Sequence, residues 1–430
     1  MSMLIKFKKY LRTIGFNKTA IWRFLKIFVA DIYFFDVLRQ LGSEKGRKAE
    51  LKILVINHFF DGEIEALQKQ IVASNISIKY IFPEPTFSRA FVWFPLEVQN
   101  GLLPYNNEKI RNVRDNFNKF CEKTFLKLRG KYKFDCIVTP SDSFFWLREF
   151  IVVAEKYGVS TVVADKEGTI TPYDYQTAPS RIRHFYPPVA KFFFVWSERQ
   201  KIFWIRSGVP ENLIKIIGSI RTDSFVNLPN LDKKKSVLYF DFDIDAYINI
   251  FDWDSLNWTG ERSWTDLRDS FHKVIYSLAI KKPELQFIIK CHPQQIALDF
   301  PENLINLDNI TIIKGAPKGI ANLLNESILV LGFQTTALLE ASLMNVPVVY
   351  GAWGEVYNAM KEYLLPWNES GFGFRWARSE RELEEYALEL IEGGLPKKED
   401  RIRLAEYFYC SNGEVAYRFL NEIKKLICRD

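Results

Sequence analysis

From residue 51 onward, short apolar runs alternate with stretches whose apolar positions recur every three or four residues. LKILVINHF, SIKYIF, FDCIVTP, STVVAD, KFFFVWS and IKIIG read as buried strands. EIEALQKQIVAS, FWLREFIVVAEKYG and ERQKIFWIRSG read as the helices between them. A polar stretch with two asparagines, a proline and three lysines, SFVNLPNLDKKK at 224–235, then breaks the rhythm and predicts an interdomain linker. A second series follows: the strands SVLYFDF, LQFIIKCHP, ITIIKG, ILVLGF and VPVVYG, with the helices SWTDLRDSFHKVIYSLAIKK, GIANLLNES and ALLEASLMN. Leu267, Phe271, Ile275 and Leu278 share one face of the longest of these. Strand and helix alternating at this spacing predict an α/β chain of two Rossmann-like open-sheet domains facing a cleft. The boundaries expected are 51–223 for the first, acceptor-side domain and 236–395 for the second, nucleotide-binding domain. Residues 396–430, which include the amphipathic EVAYRFLNEIKKLI, are expected to pack back on the first domain.

Residues 1–50 follow a different pattern, and charge sharpens it. They hold eleven Lys/Arg against four Asp/Glu, a local +7 that leaves −1 for the rest of a chain whose net charge is +6. No uncharged stretch there approaches the roughly 20 apolar residues that cross a bilayer. Trp22, Leu25, Phe28 and Val29 fall at helical spacing with Arg23 and Lys26 off that face. The pattern predicts a basic amphipathic helical extension, with residues 1–40 suited to an anionic membrane surface or to packing on the body. No nucleic-acid reader motif accompanies the charge, so nucleic acid is not an expected partner.

Length and composition fit two well-packed domains: 430 residues, 48% hydrophobic and 15% aromatic. Five widely spaced cysteines without a CxxC argue against a disulfide framework and for a reducing, cytoplasmic setting. The four histidines, His58, His184, His272 and His292, include no i, i+4 pair, and no metal is expected. GxGxxG after a strand, GxxxxGK[ST] and GxSxG are all lacking, which removes the usual marks of dinucleotide oxidoreductases, P-loop enzymes and serine hydrolases.

Candidate chemistry gathers where strands end, because ligands on open α/β sheets lie outside the carboxyl ends of the strands. Gln334, Thr335 and Thr336 stand between ILVLGF and ALLEASLMN, where backbone N–H groups and hydroxyls favour a phosphate or simply cap the helix. Glu340, one turn further in, sits on an otherwise apolar segment and is suited to accept hydrogen bonds from a ribose diol. Lys290 and His292 leave another strand, the histidine as donor or acid toward a departing phosphate. In the first half, Asp165, Lys166, Glu167 and Gly168 end a strand, with Glu167 ranked first as base on an acceptor hydroxyl. His58 and Asp61 follow the first strand as a further possible base. Asp241, Asp243 and Asp245 read as a solvated acidic loop in preference to a phosphatase nucleophile or a metal-binding Asp-x-Asp.

KCHPQ followed by LVLGFQTTALLEASLMNVPVVYGAWGE resembles the donor half of bacterial GT-B glycosyltransferases, especially capsule-synthesis transferases of 3-deoxy-manno-octulosonic acid (Kdo) and bacterial sialyltransferases. DKEG is similar to their acidic-acidic-Gly motif, with Lys166 where an acid is usual. FFFVWSERQKIFWIRSGVPENLIKIIGSIRTDSF resembles the stretch that leads to their hinge and places Arg221 there. The resemblance implies a metal-independent, cofactor-free transferase at the inner face of the membrane. Its co-substrate would be a nucleotide sugar, preferably CMP-linked, and its acceptor a surface polysaccharide or glycolipid. His292 and the Thr335/Thr336 pair would hold the phosphate, and Glu167 would be the catalytic base. Teichoic-acid polyol phosphotransferases and UDP-N-acetylglucosamine 2-epimerases have similar second halves, and the Lys166 departure also admits a non-catalytic partner in polysaccharide assembly.

Overall fold

The computed structural model describes residues 39–42, 51–56, 61–71, 76–81, 90–166, 168–228, 236–244, 264–292, 295, 299–315, 319–393, 401–409 and 412–427. The first sheet contains β1 (Arg39–Gly42), β2 (Leu51–Ile56), β3 (Ile76–Ile81), β4 (Cys136–Thr139), β5 (Ser160–Ala164), β6 (Phe192–Val195) and β7 (Ile214–Ile216). Their order is β1-β3-β2-β4-β5-β6-β7, parallel throughout except for β1, which pairs antiparallel to β3 at the edge. The second sheet contains β8 (Ser236–Phe240), β9 (Gln286–Lys290), β10 (Ile310–Ile313), β11 (Ser327–Gly332), β12 (Val348–Gly351) and β13 (Phe374–Ala377), in the order β10-β9-β8-β11-β12-β13 and wholly parallel. Two Rossmann-like domains are therefore present, as the alternation of patterns predicts.

The strands are apolar on both faces because helices cover both faces. In the first domain these include α1 (Asp61–Ile71), α2 (Arg111–Tyr132), α3 (Arg148–Lys156), α4 (Pro172–Phe185) and α5 (Glu198–Arg206). The second has α6 (Thr265–Lys281), α7 (Ala337–Leu343), α8 (Glu380–Ile391) and α9 (Leu404–Phe408). Leu267, Phe271, Ile275 and Leu278 of α6 are all buried in the second core. The last helix, α10 (Val415–Ile427), buries Val415, Ala416, Phe419, Leu420 and Ile423 in the core of the first domain, against Ile64, Leu67 and Ile217 among others. Its N-terminus is tied to the hinge: the Asp223 carboxylate accepts from the backbone N–H groups of Val415 at 3.0 Å and Ala416 at 2.7 Å. A charged acceptor on the first free N–H groups of a helix is a favourable cap.

Three features depart from the sequence expectations. Within the extension expected to be helical, Arg39–Gly42 is a strand; residues 1–38, the proposed membrane-facing segment among them, lie outside the described residues. The linker expected from 224 begins as a short buried helix, Asp223–Val226, whose Phe225 joins the second core; 229–235 lie outside the described residues. Helix α4 occupies a stretch, between STVVAD and KFFFVWS, where the apolar pattern predicts no element. Thr171 accepts from Asp174 N at its start, Pro172 occupies the first turn, and Pro179 interrupts the periodicity that would have revealed it. No described helix is long and apolar enough to cross a membrane.

Candidate functional site

The second sheet has the strand order in which a crevice opens where the chain direction of winding reverses, here between β8 and β11. Register fixes its floor. Gly332 pairs with Phe240, and Phe240 with Lys290, so three strands end level and their following loops rise together. His292 and the Thr335/Thr336 pair leave the same carboxyl edge, with β8 between their strands and thus roughly 10 Å of sheet separating them.

Each residue on that edge has a distinct environment. Lys290 is buried and donates its ammonium to the carbonyls of Gly315, at 2.6 Å, and Cys291; burial lowers its pKa. That geometry makes Lys290 a tie between the β9 and β10 loops. Gln334, with φ at +42°, turns its carboxamide inward to donate to Tyr350 Oη (2.8 Å) and Leu365 O (3.0 Å) while accepting from Leu365 N (2.7 Å). It anchors the 365 loop. The half-buried Thr335 accepts from Ala337 N at 3.3 Å, whereas Thr336, at the N-cap position of α7, makes no side-chain cap bond. His292 is half-buried; burial and then Lys290 lower its pKa, Asp243 opposing, which keeps the imidazole neutral at pH 7.

Asp241 and Asp243 overturn the expectation of a solvated acidic loop: both are buried, Asp241 at 3% exposure. Asp241 Oδ1 accepts from Tyr239 Oη at 2.9 Å and lies 3.3 Å from His272 Nε2, and Oδ2 accepts from Gln295 Nε2 at 2.7 Å. Its partners come from residues 239, 272 and 295, a convergence that local sequence does not display. Asp245 lies outside the described residues.

A second cluster joins the two domains. Glu340, 1% exposed, makes an ion pair with Arg221, which stands in the hinge turn Ile220–Thr222. Its other oxygen, Oε2, is buried with no hydrogen-bond partner among the described residues. Burial pushes the Glu340 pKa up to about 7; Arg221 pulls it down, Glu63 adds to the rise, and Lys166 opposes it. The buried Glu63, near the start of α1, had no signal in the sequence beyond its place after the first strand. With Asp165, Trp196 and Gly218 it lines a small pocket that has room for about one water molecule.

Asp165 is half committed to structure: its Oδ2 accepts from Trp204 Nε1 at 2.7 Å, and its carbonyl from Trp196 Nε1 at 2.6 Å. The glycine of DKEG serves the same indole, because a Cβ on Gly168 would come within 1.9 Å of the Trp196 ring. Asp61 is the first residue of α1; His58 and Glu167, the residue ranked first as base, lie outside the described residues. The described residues include no group of three or more His, Cys, Asp or Glu able to hold a metal ion.

No protein-family profile matches the chain, and no curated protein sequence does. Solved structures do. A putative UDP-N-acetylglucosamine 2-epimerase from Listeria monocytogenes is similar with a TM-score of 0.52 at 13% identity, over 89% of this chain and 98% of that one. The UDP-GlcNAc 2-epimerase from Neisseria meningitidis, solved bound to UDP-GlcNAc, has a TM-score of 0.52 at 14% identity, over 87% and 100% of the two chains. Likeness at this identity speaks to architecture: both domains and their arrangement are those of the GT-B fold.

Proposed function

We propose that this chain is a metal-independent enzyme of a nucleotide sugar, UDP-linked in preference to CMP-linked, and that it inverts the sugar at C2 in the manner of a 2-epimerase. The observation that carries the reading is the orphan oxygen of Glu340. A fully buried carboxylate with one unsatisfied acceptor, at the junction of two GT-B domains, suits a ribose hydroxyl as its missing donor. The nearly full-length likeness to structures named as UDP-GlcNAc 2-epimerases supports the choice of nucleotide and of chemistry.

In this reading the neutral imidazole of His292 donates to a phosphate oxygen and the hydroxyls of Thr335 and Thr336 complete the phosphate contacts. The sugar then points toward the first domain, where Glu63 and Asp165 flank a pocket. One of these carboxylates, or Glu167 in the adjoining stretch, takes the C2 proton as general base while the C1–O bond breaks and UDP leaves with its electron pair; a proton delivered to C2 from the opposite face and return of the UDP oxygen to C1 complete the inversion. The test is incubation with UDP-GlcNAc in D2O followed by NMR. Epimerisation gives the C2-inverted sugar with deuterium at C2; recovery of unlabelled, unreacted UDP-GlcNAc defeats the epimerase reading.

The sequence resemblance favours a second reading on the same fold, transfer of Kdo or a related acid to a polysaccharide or glycolipid at the inner membrane. Its specific support is that the His-Pro histidine and the threonine pair rise from one sheet edge. CMP-Kdo and CDP-glycerol in the same assay, with acceptor, separate transferase and polyol phosphotransferase from epimerase. If none of the three donors is bound or turned over, the transferase and epimerase readings both fail.

A further inference from the structure

We propose that Asp241 and Gln295 are positioning residues that together hold the His292 loop in register for phosphate, a role that rests on the reading of His292 given above. Gln295 grips the histidine's backbone from both sides: Oε1 accepts from His292 N at 3.1 Å, and Gln295 N donates to His292 O at 3.0 Å. An amide side chain can face either way, so something must fix which end meets His292. Asp241 fixes it. An ionised carboxylate only accepts, and at 2.7 Å from Gln295 Nε2 it holds the NH2 end toward itself and turns the carbonyl end to His292.

The carboxylate is itself over-determined. Tyr239 Oη and His272 Nε2 converge on Oδ1, and Asp241 N donates to Lys290 O at 3.0 Å, tying its own backbone to the strand that carries His292. These donors hold the Asp241 pKa down against its burial, so it remains a pure acceptor through neutral pH. The chain of contacts runs from the core of the second domain to the backbone of His292, with each link an identified hydrogen bond. Such supporting bonds are what keep a functional side chain within the narrow geometry its chemistry needs.

The experiment uses the full chain with Gln295→Leu, Gln295→Glu and His292→Ala variants, each compared with wild type. Gln295→Leu removes both side-chain links at similar volume. It is expected to speed hydrogen exchange at the His292 amide and to weaken UDP binding about tenfold, while uridine, which lacks the phosphates, binds as before. Gln295→Glu places two carboxylates face to face at pH 8. As pH falls toward 5 the new acid gains a proton, donates to Asp241 and accepts from His292 N, and UDP affinity is expected to recover relative to wild type at the same pH. Unchanged His292 protection in Gln295→Leu overturns the proposal. Equal losses for UDP and uridine, or no recovery in Gln295→Glu, also overturn it. The functional reading fails separately, if wild type does not bind UDP or His292→Ala binds it as tightly; amide exchange still decides whether the tether exists.

Discussion

Asp241, directly after β8, and Glu340, on α7 after β11, are both almost completely buried, and their pKa values move in opposite directions. Three neighbouring side chains converge on Asp241 and outweigh its desolvation. Glu340 has an ion pair with Arg221 and the added influence of Lys166, but also an oxygen with no donor among the described residues and a second carboxylate, Glu63, acting on it, so desolvation prevails. Burial alone thus does not set what a carboxylate does; the number of donors aimed at it does. A satisfied carboxylate stiffens its surroundings, and an unsatisfied one is poised to take a ligand or a proton.

The comparison can be broken by mutation, beginning with the largest expected effect. Asp241→Leu leaves Tyr239 Oη, His272 Nε2 and the Gln295 amide without their acceptor and should destabilise the chain by about 4 kcal/mol, read from denaturant unfolding at pH 7. A change below about 1 kcal/mol would show that the Asp241 network contributes little. Arg221→Ala strips Glu340 of its cation. At pH 8, where Glu340 must be charged, the loss should be about 2 kcal/mol, and it should shrink toward pH 5 as the acid takes up a proton. A loss that is independent of pH would mean that Arg221 acts through packing.

Glu340→Gln is the mildest change and the sharpest. Because the folded pKa lies near 7, above the ordinary 4.5, the folded state holds the proton more tightly than the unfolded one. Stability therefore falls as pH rises from 4.5 to 7, and the glutamine variant should lose that slope, gaining about 1 kcal/mol over wild type at pH 8. Asp241 works in the opposite sense: its stabilisation is present above the ordinary 3.8 and disappears as pH drops through its lower folded value. Thermal unfolding across pH 3 to 8 for both single variants tests the two signs together.

Much of the architecture was legible because a parallel strand buried on both faces leaves an unbroken apolar run. SVLYF, SILVLG and VVYG carry that mark, and β13, FRWA, does not, because Arg375 is exposed at the sheet's edge. Helix α2 is hidden in the sequence for a related reason, since charged residues crowd it while Phe117, Cys121, Phe125 and Leu128 bury one narrow stripe. In the candidate site, Glu340 could be picked out as a lone acid amid Ala, Leu and Ser one turn after the threonine pair, whereas its burial could not, since the same pattern suits a carboxylate facing solvent. Gln334 could be located but its orientation could not, because the partner loop at Leu365 is remote in sequence.

The sequence by itself determined the two alternating halves and the residues standing at the strand ends, since these follow from local periodicity and chain direction. Tertiary structure alone decided which polar groups meet. Glu340 finds Arg221 across the hinge, Asp241 finds His272 and Gln295 from two other segments, and Lys290 turns to backbone carbonyls. The physical reason is that hydrogen bonds and ion pairs act over a few ångströms. Whether a buried charge is satisfied or left waiting depends on neighbours that only the folded chain assembles.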